Sequence, residues 1–86
     1  MDSNISNSWL EKDSILERNL EFENFSQALA FVTRVGILAE KYDHHPDILM
    51  HSYKKVKIML TTHSHGKVTQ KDYELAREIN SILKDY

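Results

Sequence analysis

The stretch Glu40-Lys41-Tyr42-Asp43-His44-His45-Pro46 concentrates groups that can move protons. Residues one helical turn apart stand roughly 5 to 6 Å between Cβ atoms, so on a persisting last turn the Glu40 carboxylate can orient the His44 ring. Pro46 holds the backbone of His45 extended and aims the second ring elsewhere. Two imidazoles with different aims and different charged neighbours can divide acid work from base work, one donating a proton while the other accepts. A purely structural account covers the same residues: imidazoles at a helix C-terminus favour the negative end of the helix dipole and bond its last carbonyls. Spacing alone leaves both accounts open.

Further along, His63-Ser64-His65 raises a metal reading, because with His44 and His45 it offers three or four imidazoles. Adjacent histidines at a bend do not easily meet one ion, and no carboxylates are grouped with them to complete a ligand set. No metal and no cofactor is expected. Asp72 lies three residues after Thr69, which helix capping alone explains. On spacing, Trp9 and Tyr53 read as core or interface aromatics, and His51 and His65 as exposed polar residues.

These residues need a scaffold, and the composition bounds it. The chain has 86 residues, 11 Lys+Arg, 13 Asp+Glu and a formal net charge of −2, with 41% hydrophobic and 28% charged residues. That balance predicts one globular domain and argues against wholesale disorder. No basic block gives a footprint for nucleic acid. Cysteine is absent, which removes disulfides, thiolate nucleophiles and Cys-based zinc sites together. No apolar run suits a membrane span and the start lacks the pattern of a secretory signal, so a cytoplasmic protein is expected. Residues 1–8 are polar and read as a flexible tail, with a single domain over residues 9–86.

Trp9-Leu10 and Ile15–Phe22 read as two strands around a turn at Glu11-Lys12-Asp13-Ser14. A helix follows, its apolar stripe read as Phe25, Leu29, Val32, Gly36, Ala39 and Tyr42. Asn24 caps it, Gln27 reaches back to the cap's own N–H, and Pro46 forces its end between Lys41 and His44. Ile48-Leu49-Met50 and the alternation Val56, Ile58, Leu60 give two more strands, the latter running on to Thr62. The segment from His63 to Val68 is a turn or loop. A second helix begins at Thr69 and carries Leu75, Ala76, Ile79, Ile82, Leu83 and Tyr86 along one side. The order β-β-α-β-β-α predicts an α+β two-layer sandwich, an antiparallel four-stranded sheet with both helices on one face. The open sheet face, the strand edges and the small core favour self-association into at least a dimer.

Taken in order, Glu40, His44, His45, Pro46, Tyr53, His63 and Asp72 resemble the signature of the pterin-4a-carbinolamine dehydratases. The resemblance extends outward through Trp9, Phe22, Phe25, Thr62, Gly66 and Thr69. It implies dehydration of 4a-hydroxytetrahydrobiopterin to quinonoid dihydrobiopterin in tetrahydrobiopterin recycling, without metal or redox cofactor, by a homodimer or homotetramer. It also implies catalytic and pterin-binding roles for His44, His45 and His63, with acid/base work chiefly at His44 and His63 and substrate holding at His45. On the same ground Glu40 would orient His44, Asp72 would bind or orient His63, and the backbone at Thr61 and Thr62 would meet the pterin's amide edge. One departure is Ile48-Leu49 where many relatives carry an aromatic after the proline. A non-catalytic pterin-binding or regulatory module on the same fold is the alternative. It would have no reason to keep three proton-transfer groups around one pocket.

Overall fold

Strand alternation and helix punctuation place the elements close to where the sequence predicts them. The computed structural model describes residues 9–86, so the tail expected at residues 1–8 lies outside the described residues. Strands β1 (Leu10–Lys12), β2 (Ile15–Glu21), β3 (Asp47–His51) and β4 (Lys55–Leu60) form one antiparallel sheet in the order β1-β2-β4-β3. Helix α1 (Phe25–Tyr42) joins β2 to β3, and α2 (Gln70–Leu83) follows β4. The register Leu16↔Leu60, Arg18↔Ile58 and Leu20↔Val56 puts one side chain in two on a common face, and both helices bury their apolar sides there. Arg18 lies among these inward positions and donates to Asn80 Oδ1 at 2.5 Å, beside the indole N–H of buried Trp9 at 2.8 Å. Partial burial lowers that guanidinium from its ordinary range.

Lys12 pairs with Ile15 and His51 with Lys55, so a two-residue turn closes the first hairpin and a three-residue loop, 52–54, closes the second. Asp13-Ser14 (φ 53° and 66°) and Ser52-Tyr53 (φ 50° and 49°) all take left-handed backbone, the pair of conformations whose twist matches a right-handed hairpin. The first turn is therefore tighter than the four residues expected from sequence, and Tyr53 sits at a hairpin tip, 62% exposed, rather than in the core.

Helix α1 starts as predicted, with Asn24 Oδ1 accepting from the Gln27 N–H at 2.9 Å. The Gln27 side chain reaches one residue further back than expected and accepts from the Glu23 N–H at 3.2 Å. The predicted stripe is displaced. Ala28, Phe31, Val35 and Ala39 are the buried residues, in the first three turns one position before the expected Leu29, Val32 and Gly36. Exposed Phe25 fixed the wrong phase, whereas burial follows the face on which small alanines let the helix approach the sheet and Phe31 meets Phe22 at 4.9 Å between ring centroids. The predicted side of α2 holds, with Leu75, Ala76 and Ile79 fully buried and Ile82 and Leu83 packed at the margin of the core.

Candidate active site

Three chain segments meet at one end of the sheet. Asp47 opens β3 opposite Met59, and Leu60 closes β4 opposite Leu16, so the bend before β3 and the exit from β4 share that end. Tyr53, at the far tip of the same β3–β4 hairpin, is separated from the bend by the length of β3, about 17 Å at 3.3 Å per residue. It takes no part in this site.

Helix α1 ends in a left-handed residue, Asp43 (φ 49°, ψ 44°), whose N–H bonds back to the Ala39 and Glu40 carbonyls. The His44 N–H also bonds the Ala39 carbonyl, at 3.1 Å. This reversal takes His44 off the helical path before Pro46 can act. Consequently the side-chain pairing differs from the expected one. His44 Nε2 meets Asp72 Oδ1 at 2.5 Å, and His45 Nε2 meets Glu40 Oε2 at 2.5 Å. The helical spacing that would pair Glu40 with His44 lapses because residue 43 is no longer helical, leaving Glu40 to the ring five positions on.

Asp72 is wholly buried on the first turn of α2 and fully engaged. Its Oδ2 accepts from the Thr69 N–H at 2.9 Å and the Thr62 hydroxyl at 2.8 Å. A carboxylate at a helix N-terminus is favoured by the dipole and by these donors, which is how a buried charge is tolerated. Thr62 and Thr69 hydroxyl oxygens lie 2.7 Å apart. Each hydroxyl has one proton, and that of Thr62 goes to the carboxylate, so Thr69 donates to Thr62.

Thr62 thus belongs to the site through its side chain. Its main-chain N–H bonds the Lys67 carbonyl and its carbonyl accepts from the His65 N–H, both at 3.0 Å, so the expected main-chain contact to a ligand has competitors within the chain. The Thr61 hydroxyl donates to the Ser14 carbonyl at 2.8 Å and ties the first hairpin turn to this end of β4. His63 opens a 3-10 turn (His63–His65) directly after Thr62, closed by Gly66 at φ 63°. It is exposed, and among the described residues its ring makes no hydrogen bond. Asp72 is committed to His44 instead of His63. Among the described residues, the His65 and His51 rings each meet only the neighbouring serine hydroxyl, at 3.1 Å. No three His, Asp or Glu side chains among the described residues gather as a metal ion would require.

The arrangement offers one imidazole fixed by a buried carboxylate, one steered by an exposed carboxylate and one free to turn, around a single sheet end. That set can accept and donate protons on a bound polar ring without a covalent intermediate. Thr69, which spacing reads as a helix cap and the family resemblance includes, joins the candidate site through its hydroxyl and its N–H.

Comparison with known proteins gives the family and the fold. The family model for pterin 4 alpha carbinolamine dehydratase matches residues 2–82. A Prochlorococcus marinus protein provisionally assigned as a pterin-4-alpha-carbinolamine dehydratase is 42% identical over 76 residues, 88% of this chain and 79% of that one. A Chloroflexus aggregans protein with the same provisional name is 47% identical over 74 residues, covering 86% and 78%. Among solved structures, a transcriptional coactivator/pterin dehydratase from Brucella melitensis aligns with TM-score 0.81 and 36% identity over 88% of this chain and 82% of that chain. A pterin dehydratase-like protein described as a RuBisCO assembly factor of the alpha-carboxysome aligns at TM-score 0.73 and 22% identity over 90% of both chains, a likeness of fold.

Proposed function

This chain belongs to the pterin-4a-carbinolamine dehydratase family, and from that premise we propose that it removes water from 4a-hydroxytetrahydrobiopterin to give quinonoid dihydrobiopterin. In this reaction a base takes the N5 proton, the N5 electron pair forms the C4a=N5 bond, and the C4a hydroxyl leaves as water after receiving a proton from an acid. Imidazoles can serve as both groups near neutral pH. His44 and His63 carry the proton transfers and His45 holds the substrate, with Glu40 orienting His45.

The observation that carries this reading is the commitment of a fully buried carboxylate, Asp72, to one ring of the His44-His45 pair. Burying a charge there has a cost that capping α2 does not require, and a proton-transfer site gives it a purpose. The test is direct. Synthetic 4a-hydroxytetrahydropterin loses its ultraviolet signature faster with the protein than in buffer, and His45→Ala slows that loss at least about tenfold. Equal rates with protein and with buffer would favour the second reading, a non-catalytic pterin-binding or regulatory module, which the description of the Brucella relative as both coactivator and dehydratase keeps in view.

We further propose that the protein is cytoplasmic and self-associates. No helix among the described residues is long and apolar enough to cross a membrane. Phe25, Leu29 and Ile37 leave large apolar surface on α1, and β1 and β3 are open sheet edges. Light scattering at micromolar concentration yields a mass above one chain; a monomer there removes the proposal.

A further inference from the structure

We propose that Thr62 is a positioning residue which, through Asp72, fixes His44 as the Nε2–H tautomer and presents its Nδ1 as the base that takes the N5 proton. The inference rests on the dehydratase reading for the identity of that proton, and on geometry for the rest.

A neutral imidazole has one N–H and one lone pair, and the partner of one nitrogen decides the state of the other. His44 Nε2 faces a carboxylate oxygen, which when ionised only accepts. Asp72 has no freedom to turn away, because its second oxygen is held by the Thr62 hydroxyl and the Thr69 N–H. Nor can Thr62 turn. Its hydroxyl is fixed between Asp72 and the Thr69 hydroxyl, and its main chain is bridged to Lys67. Proton direction therefore runs one way, from Thr69 to Thr62 to Asp72, and from His44 Nε2 to Asp72.

Among the described residues, His44 Nδ1 has no hydrogen-bond partner. It is the nitrogen left for a substrate. Once Nδ1 takes a proton, the ring carries a positive charge beside the Asp72 carboxylate, which stabilises it without itself becoming protonated; a buried aspartate serves a catalytic histidine in this way elsewhere. The proton needed by the departing hydroxyl then comes from a second imidazole, so His44 and the acid are different rings. Thr62 touches no reacting atom. It acts by keeping the carboxylate, and hence the ring, in one state.

The experiment needs no substrate for its first arm. In 15N-labelled full-length protein, the neutral His44 ring shows a pyrrole-type Nε2 and a pyridine-type Nδ1. Thr62→Val gives a mixture of the two tautomers, and Thr62→Ser, which keeps the hydroxyl, restores the wild-type pattern. In the second arm Thr62→Val lowers kcat about tenfold with KM within about twofold, and Thr62→Ser recovers most of the rate. A pyridine-type Nε2 in the wild-type protein overturns the inference whatever the variants do, as does an unchanged tautomer and rate in a folded Thr62→Val protein. If the ring signatures behave as expected but the wild-type protein fails to dehydrate the pterin, the dehydratase reading and the role given to Nδ1 in it fall together, while the control of the His44 tautomer by Thr62 survives.

Discussion

His44 and His45 are neighbours in the chain, and each brings Nε2 to 2.5 Å from a carboxylate oxygen. The surroundings differ. Side-chain exposure is 12% for His44 and 0% for Asp72, against 57% for His45 and 78% for Glu40. An exposed pair has water as an equal competitor for both partners and holds two side chains at an entropic cost, so its net worth is small. A buried carboxylate has no such alternative, and removing it leaves the donors around it unsatisfied. Equal distance therefore carries unequal energy, and the inner pair sets geometry while the outer one exchanges freely with water.

Whether burial outranks proximity can be tested first on apolar residues of α1, where the largest effect is expected. Phe31 is fully buried against Phe22, and Phe25 is half exposed. Phe31→Ala lowers the unfolding free energy by about 4 kcal/mol, the range for an emptied aromatic core position. Phe25→Ala lowers it by less than about 1 kcal/mol. Urea titration with unchanged slope checks both. Similar costs at the two positions would mean that the face assigned as buried is wrong.

The polar counterpart is somewhat smaller. Asp72→Ala strands the Thr62 hydroxyl, the Thr69 N–H and the His44 ring, and costs about 3 kcal/mol. Glu40→Ala exposes nothing that water cannot satisfy and costs under about 1 kcal/mol. The same urea measurement decides it, and equal losses would erase the distinction between the two pairs.

That distinction explains what the sequence could and could not reveal. Asn24 and Pro46 marked the limits of α1, and the alternation Val56, Ile58, Leu60 marked a half-buried strand, because capping and side-chain period are local rules. The family resemblance named His44, His45, His63 and Asp72 together as candidates. Their pairing was not legible. His44 and Asp72 are 28 residues apart, and their contact depends on where α2 begins against the sheet. The local rule that joined Glu40 to His44 assumed a helix through residue 43, whereas Asp43 leaves it in a left-handed turn. The phase of α1 failed for a related reason. Phe25 and Leu29 are as apolar as the residues that became buried, and only the packing of the second layer separates them.

The smallest expected effect is the most specific to the comparison. Double-mutant cycles on stability, run for His44 with Asp72 and for His45 with Glu40 at one fixed pH, isolate each pair from the other interactions of its members. The outer cycle gives a coupling below about 1 kcal/mol that fades in about 1 M salt, where screening acts within roughly 3 Å. The inner cycle gives a larger coupling that salt leaves nearly unchanged, since ions cannot enter between a buried carboxylate and a ring already touching it. Two cycles that faded alike would show that water and salt reach Asp72. The carboxylate would then have other partners available, and nothing would hold His44 to one orientation.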